Sequence, residues 1–418
     1  APAQQHRMAY WEWNATGNPA HPHVVVCVHG LSRQGRDFDT LARALSAHAR
    51  VVCPDVVGRG QSDWLADPMG YQIPQYAGDM LALLAQLHQQ GAIATLDWVG
   101  TSMGGLIGMG IAGQPGLPLP VPVRRLVLND VGPVIQWEAL QRIGQYLGQL
   151  ARFASLQQAA DAMWAISTSF GPHTPAQWLE LSRAMVRTLP ASDGGGITLH
   201  YDPAIAVPFK TLTPESAVAG EAALWQLYDH IQARTLLLRG AQSDLLSRAT
   251  AQAMTERGPR AHVVEFEGVG HAPTLVAADQ VAADEGLHGQ PGDGKPGGDQ
   301  HFDHHRGGRP GNADHQNSQR RRRDVGQHLA DEAADLGIGA AHRQRHLVGH
   351  QCRIALATHL VGALRELDAF LVDQAGVLDR AYPLADRGLD PLGAVGVGGD
   401  PGLARLGHPH RGGDHLFG

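Results

Sequence analysis

The stretch LDWVGTSMGGLIGMGIAG, residues 96–113, decides the fold. It begins as a short apolar run typical of a buried strand, passes through G-T-S-M-G at residues 100–104, and continues as a helix-like segment. A serine in a G-x-S-x-G motif between a strand and a helix is typical of a sharp, strained turn that projects its hydroxyl clear of the sheet. The helix that follows points its N-terminal amides at the same place. We therefore predict that Ser102 is a nucleophile at the carboxyl end of a strand.

The strand-like pattern recurs on both sides of this stretch. Between the apolar runs lie helix-like segments such as Phe38–His48 and Gln75–His88. Strands that alternate with helices predict an α/β fold with a mostly parallel central sheet and helices on both faces. The other predicted strands are His23–His29, Arg50–Pro54, Arg125–Asp130, Arg234–Arg239 and His262–Phe266.

Residues 134–230 interrupt this alternation. They contain no clear buried strand, so we predict a helical cap inserted between two parts of the core, residues 1–133 and 231–284. We expect the tryptophans of this segment mainly to pack the cap onto the core, with some of them lining an apolar pocket. The predicted cap helices are Ala139–Leu150, Leu156–Ser167, Pro175–Leu189 and Ala217–His230, and the tryptophans are Trp137, Trp164, Trp178 and Trp225.

The composition changes abruptly after residue 284. All eight Trp and all eight Met precede residue 255, whereas 13 of the 24 His follow residue 284, among many Gly, Asp and Arg. We interpret residues 285–418 as a low-complexity tail that is disordered or translated in a shifted reading frame. Biased composition also explains Arg320–Arg323 and His301–His305 better than a nucleic-acid or metal site does.

Charge and hydropathy exclude several classes of partner. A net charge of -7 means that the chain has no excess of basic residues, so we expect no nucleic-acid partner. No apolar run reaches the roughly 18 residues of a membrane span, and the first residues lack the apolar region of a secretory signal. Three cysteines do not form a disulfide framework, and nearly all basic residues are Arg, which is typical of a GC-rich genome. We expect a cytoplasmic bacterial protein that needs no cofactor and no metal.

A serine nucleophile needs a base, and the base needs an acid to orient it. After an elbow of this kind the expected chain order is serine, acid, histidine. Asp244 follows the predicted strand TLLLRG, and His271 follows the last predicted strand. Because active sites of open α/β sheets form at the carboxyl ends of strands, we predict a triad of Ser102, His271 and Asp244.

Other residues compete for these roles. Asp130 also follows a strand and stays open as the acid in place of Asp244. His262 begins a strand and therefore lies at the wrong end of the sheet, and His200 lies in the cap, where a surface position is the simpler interpretation.

Acyl transfer also needs backbone N–H donors for the oxyanion. The residue after the nucleophile, Met103, is one expected donor. The loop after the first long buried strand reads His29-Gly30-Leu31, and we predict the Leu31 N–H as the second donor. We expect His29 itself to hydrogen-bond neighbouring loops.

These segments resemble the α/β-hydrolase superfamily, in particular its capped, esterase-like branch with a serine nucleophile. The resemblance covers residues 8–284 and implies two-step hydrolysis of a small-molecule ester, with an apolar acyl group, through an acyl-enzyme. A D-x-x-G-x-G-x-S loop is among the matching segments, and we interpret its role as structural. The matching residues are His29-Gly30, Asp55–Ser62, Gly100–Gly105, Asp244 and Gly270-His271.

Other activities on the same triad stay open. They are hydrolysis of a carbon–carbon bond in ring-cleavage diketones, lactone hydrolysis and perhydrolysis, and a non-enzymatic alternative is a ligand-binding module on this fold. A cap pocket that holds a carboxylate favours the first two. Arg33, Arg36 and Arg142 are possible anion partners, although solvated surface arginines are commoner.

Overall fold

The computed structural model describes residues 6–288 and the short strand His346–Val348. The interpretations of Arg320–Arg323 and His301–His305 lie outside the described residues, as does nearly all of the predicted tail after residue 284.

Eleven strands are formed by the described residues. Six of them were predicted, and these begin and end within two residues of the predicted bounds, because apolar β-branched runs bounded by glycine and polar residues specify strands well. They are β1 Met8–Trp13, β2 His23–Val28, β3 Arg50–Pro54, β4 Thr95–Thr101, β5 Val123–Asn129, β6 Arg152–Phe153, β7 Val186–Thr188, β8 Ile197–Leu199, β9 Arg234–Gly240, β10 His262–Phe266 and β11 His346–Val348.

Ten α-helices accompany these strands in the described part of the chain. Three of the five helices between residues 134 and 230 start at side-chain caps, among them the longest, which follows Thr213. The helices are α1 Asp39–Leu45, α2 Ile73–Gln90, α3 Met103–Gly113, α4 Trp137–Tyr146, α5 Leu156–Ser167, α6 Pro175–Arg183, α7 Ala206–Phe209, α8 Pro214–His230, α9 Arg248–Glu256 and α10 Ala278–His288.

The central sheet has the strand order β10-β9-β5-β4-β2-β3-β1-β11. The six strands from β10 to β3 run parallel, and β1 and β11 are antiparallel additions at one edge. This arrangement confirms the predicted mostly parallel sheet, although the sequence pattern missed β1. Because the strands are parallel, the carboxyl ends of β4, β5, β9 and β10 meet at one edge of the sheet.

The parallel strands inside the sheet, β2 to β5 and β9, bury side chains on both faces. In β5, Leu126 and Leu128 face one apolar cluster and Val127 faces the other. The first cluster packs against α2 and α3, and the second packs against α1 and α10. Two covered faces explain why these strands have continuous apolar sequences. Among the described residues, no helix has the length and apolar character needed to cross a bilayer.

Residues 134–230, called the insertion below, connect β5 to β9. They contain α4 to α8, of which the short α7 has no counterpart among the four predicted helices, and also a small antiparallel sheet of order β6-β8-β7. This sheet was not predicted, because its strands are only two or three residues long and too short for an alternating pattern to be recognised. The predicted helix over Pro175–Leu189 therefore ends at Arg183, and its last part is β7.

Candidate active site

Ser102 lies on the turn between β4 and α3, with φ 51° and ψ -116°. The turn is held by the Ser102 backbone N–H, which donates to the Asn129 carbonyl at 3.0 Å. The motif glycines are required by space, because a Cβ at Gly100 would collide with the Gly104 backbone and a Cβ at Gly104 with the Val28 carbonyl. Close packing of helix on strand thus forces the strained conformation that presents the serine hydroxyl.

His271 lies beside this hydroxyl. It follows β10 on a short loop, and its Nε2 is 3.0 Å from the Ser102 Oγ. Its side chain is 11% exposed, so most of the imidazole is shielded from solvent. The predicted pairing of Ser102 with His271 is therefore present in the geometry of the structure.

The imidazole Nδ1 is hydrogen-bonded by Asp130, whose Oδ2 lies 2.7 Å away. Asp130 is fully buried, and its carboxylate also accepts from the Gly240 N–H at 2.9 Å and from the Ser243 hydroxyl at 2.6 Å. A carboxylate on Nδ1 fixes the tautomer that leaves Nε2 free to accept a proton from the serine.

The predicted contact between Asp244 and His271 is corrected by the structure. Asp244 lies four residues beyond the end of β9, is nearly half exposed, and accepts two hydrogen bonds from Arg142 of α4 at 2.7 and 3.0 Å. Asp130, which the sequence left open as the alternative, directly follows β5 and turns inward. The neighbouring ends of β5 and β9 place both acids near the imidazole loop, but only Asp130 reaches it.

Two polar residues that sequence reasoning missed brace this arrangement. Asn129 donates to the Thr101 hydroxyl at 2.9 Å and to the Pro273 carbonyl at 2.8 Å, which joins the end of β4 to the histidine loop. Ser169 of the insertion donates to the His271 carbonyl at 2.9 Å. Only the position of Asn129 beside Asp130 at a strand end could have indicated its role.

The loop after β2 runs beside the serine. A Cβ at Gly30 would lie 3.7 Å from the Ser102 Cβ, so the residue before Leu31 lies directly beside the serine. Met103 begins α3 directly after the serine. Their backbone N–H groups stay the predicted oxyanion donors.

His29 connects two loops, as expected. Its Nδ1 is 2.7 Å from the Gly30 carbonyl, and its Nε2 accepts from the Val56 N–H at 2.9 Å. Complete burial lowers its pKa to about 3, and the positive charge of Arg59 adds to the effect. The neutral ring therefore serves structure near the serine, and it lies too deep to exchange protons with solvent.

The D-x-x-G-x-G-x-S loop is closed by its own aspartate. Asp55 accepts from the Gly35 and Gln61 N–H groups at 2.9 Å each. Burial raises the Asp55 pKa to about 6, and these hydrogen bonds oppose the shift. At Gly60, φ is 54° and a Cβ would collide with the Asp55 carboxylate, so the second glycine of the motif is required.

The candidate anion partners are already paired. Arg33 binds Asp37 with two hydrogen bonds, Arg36 binds Asp39, and Arg142 binds Asp244. Trp164 and Trp178 pack in a cluster formed mainly by residues of the insertion rather than onto the core, whereas Trp225 packs against the core as expected. Trp178 is buried edge-on against Trp164 at 4.9 Å, and Trp225 lies against Tyr228.

Comparisons with known proteins agree with this fold. A sequence profile of the alpha/beta hydrolase family matches residues 25–284, which is more than half of the chain. A crystal structure of an alpha/beta hydrolase from Novosphingobium aromaticivorans is similar with a TM-score of 0.55 and 36% identity, covering 68% of this chain and 98% of that one.

Two similar relatives have names that specify a reaction. The 3-hydroxybutyrate-oligomer hydrolase of Cupriavidus necator is 53% identical over 282 residues, which is 68% of this chain and 92% of the relative. The pimeloyl-[acyl-carrier protein] methyl ester esterase of Xanthomonas campestris is 27% identical over 287 residues, 64% of this chain and 94% of the relative. Both are named for the cleavage of ester bonds.

Proposed function

The chain belongs to the α/β-hydrolase family, and we propose that it hydrolyses carboxylic esters with Ser102 as nucleophile, His271 as base and Asp130 as the orienting acid. The observation that carries the proposal is the unbroken line of hydrogen bonds from Ser102 Oγ through His271 to the buried Asp130. Asp130 replaces Asp244 in the predicted triad.

The chemistry follows from this line. The Ser102 Oγ attacks the ester carbonyl carbon while His271 Nε2 takes its proton, and Asp130 stabilises the imidazolium through Nδ1–H. The N–H groups of Leu31 and Met103 stabilise the oxyanion of the tetrahedral intermediate. His271 then gives the proton to the leaving alcohol, and water releases the acyl group by the same steps in reverse.

We propose oligomers of 3-hydroxybutyrate, or closely related hydroxyacid esters, as the substrate class. In such an oligomer each ester bond joins the carbonyl of one unit to the hydroxyl of the next, so attack by a serine releases a hydroxyl-bearing fragment. The support is the 53% identity to a relative of that name over nearly its whole length. Carbon–carbon and lactone hydrolysis gain no specific support, because the arginines proposed to hold a carboxylate are already ion-paired.

Replacing Ser102 by Ala tests the proposal. We expect S102A to lose at least about 10³-fold in hydrolysis of a linear 3-hydroxybutyrate trimer and of p-nitrophenyl butyrate, because no other group replaces the nucleophile. Chromatography of the released monomer and dimer measures the rate, and a fluorophosphonate probe should label the wild type but not S102A.

The exposed Ser192 offers a matched control. S192A should keep the wild-type rate and labelling. A folded wild type that neither labels nor cleaves any of these esters, or an S102A variant that retains the rate, would show that the proposed function is wrong. Cleavage of a ring-cleavage diketone, without cleavage of the esters, would show that the activity is carbon–carbon hydrolysis.

A further inference from the structure

A fully buried arginine lies behind the predicted oxyanion donors. Arg59 belongs to the D-x-x-G-x-G-x-S loop and has no exposed surface. Its Nε donates to the Leu31 carbonyl at 2.8 Å, and its Nη2 lies 3.6 Å from the Met103 Sδ. One side chain thus contacts both residues from which the oxyanion donors are expected.

The surroundings of this guanidinium are unusual for a buried cation. No carboxylate among the described residues lies within ion-pair distance of it. The Nη1 group donates to the Val57 carbonyl at 2.7 Å and to the Tyr76 hydroxyl at 3.0 Å, and the Tyr76 ring lies 5.0 Å from the guanidinium carbon. Carbonyl dipoles and an aromatic face therefore offset the cost of burying the charge.

The arginine loop is also where the insertion joins the core. Arg59 forms a β-bridge with Tyr201, the Gly60 N–H donates to the His200 carbonyl at 3.0 Å, and the Asp202 N–H donates to the Gly58 carbonyl at 2.7 Å. The loop is consequently fixed from both sides, by the insertion and by the sheet.

We infer that Arg59 is a positioning residue that sets the orientation of the Leu31 and Met103 oxyanion donors; the inference rests on the proposed function. A carbonyl held at 2.8 Å by a fixed guanidinium restricts the backbone rotation of Leu31 and hence the direction of its N–H. Oxyanion donors act only when they are preorganised at the oxyanion, and small misplacements reduce the rate strongly.

The planar fork of arginine is what suits this position. Its N–H groups diverge in one plane, so Nε, Nη1 and Nη2 reach Leu31, Tyr76 and Met103 at the same time. The ammonium of a lysine is a single point and reaches only one of these sites. R59K should therefore retain part of this positioning, and R59M, which has neither charge nor donors, should retain none.

The test measures kcat and KM on p-nitrophenyl butyrate, and inhibition by a trifluoromethyl ketone, which forms an oxyanion adduct with serine. For R59M we expect kcat to fall about 10- to 100-fold with KM changed less than about threefold, because the lost stabilisation acts in the transition state. Affinity for the trifluoromethyl ketone should fall by about the same factor as kcat, while that for the non-fluorinated methyl ketone should stay unchanged. R59K should lie between R59M and wild type.

Arg50 supplies the matched control. It is also buried but pairs with Glu12 at the amino end of β3, away from Ser102. R50M should lower the unfolding temperature and leave kcat and ketone affinity of the folded enzyme unchanged. A folded R59M with wild-type kcat and wild-type trifluoromethyl ketone affinity would overturn the inference.

A second variant serves if R59M does not fold. Y76F removes only the hydroxyl that accepts from the Arg59 Nη1. We expect a drop of about 3- to 10-fold in kcat and in trifluoromethyl ketone affinity, and no change in either would overturn the inference. Fluorophosphonate labelling of the wild type keeps the two proposals distinguishable, because an unlabelled, inactive wild type fails the proposed function before Arg59 is considered.

Discussion

Asp130 combines a left-handed backbone with a buried carboxylate. Its φ is 55°, a region that most residues avoid and that aspartate tolerates better than bulkier side chains do. Its N–H donates to the Leu238 carbonyl of β9 at 2.7 Å, so the backbone stays bonded to the neighbouring strand while the carboxylate contacts His271. The residue type therefore suits both the backbone and the proposed chemistry.

His29 makes folding stability depend on pH. Its folded pKa of about 3 lies below the ordinary value of 6.5, so only the unfolded chain binds a proton as the pH falls below about 6.5. The contribution of His29 to the free energy of unfolding is complete above that pH and decreases as the pH falls below it. Between about pH 7.5 and pH 5 the loss from this group is about 2 kcal/mol, since each pKa unit corresponds to about 1.4 kcal/mol.

Urea unfolding of wild type and H29Q at these two pH values measures this contribution. On acidification the free energy of unfolding of the wild type should fall by about 2 kcal/mol more than that of H29Q, whatever the starting stability of the variant. Equal losses in the two chains would show that His29 does not titrate in this way.

Helix α3 packs on β4 and β2 with almost no space at its first turn. At Gly104 a Cβ would collide with the Val28 carbonyl, whereas at Gly110, two turns later, nothing lies within 4 Å of an added Cβ. The same helix therefore holds one glycine that the packing requires and another that it does not.

Alanine substitutions at these two glycines should have opposite effects. G104A should destabilise the fold by roughly 3 kcal/mol or more, because backbone rather than a flexible side chain must move. G110A should stabilise it by about 0.5–1 kcal/mol through helix propensity. Thermal unfolding followed by circular dichroism measures both effects, and equal changes in the unfolding temperature would contradict the packing argument.

The elements differ in how well the sequence specifies them. The buried parallel strands and the elbow at Ser102 were predicted well, because continuous apolar runs and the G-x-S-x-G spacing are local features. The strand β1 and the sheet β6-β8-β7 were missed, since their strands are short or pair antiparallel at an edge. The contact of Arg59 with Leu31 and Met103 joins distant parts of the chain, so no local pattern indicates it.

The arrangement of the whole sheet decides between the two acids. β5 and β9 are parallel neighbours, so Asp130 and Asp244 both lie at the edge that carries Ser102 and His271. Chain order fits both acids, and the more usual place of the acid, after the next strand, favoured Asp244; the length of its loop and the presence of Arg142 on the insertion determine where it points. The sequence around Asp244 indicates neither which strand lies beside β9 nor that Arg142 of the insertion pairs with this acid.

The measurement that tests the proposed triad most directly is kcat of D130N and D244N on the same ester, with folding checked by circular dichroism. We expect D130N to lose on the order of 10⁴-fold, because an amide in place of the carboxylate favours the wrong imidazole tautomer. D244N should stay within about threefold of wild type, since it loses only a partly exposed ion pair with Arg142. A large loss in D244N together with a near-normal D130N would contradict the account.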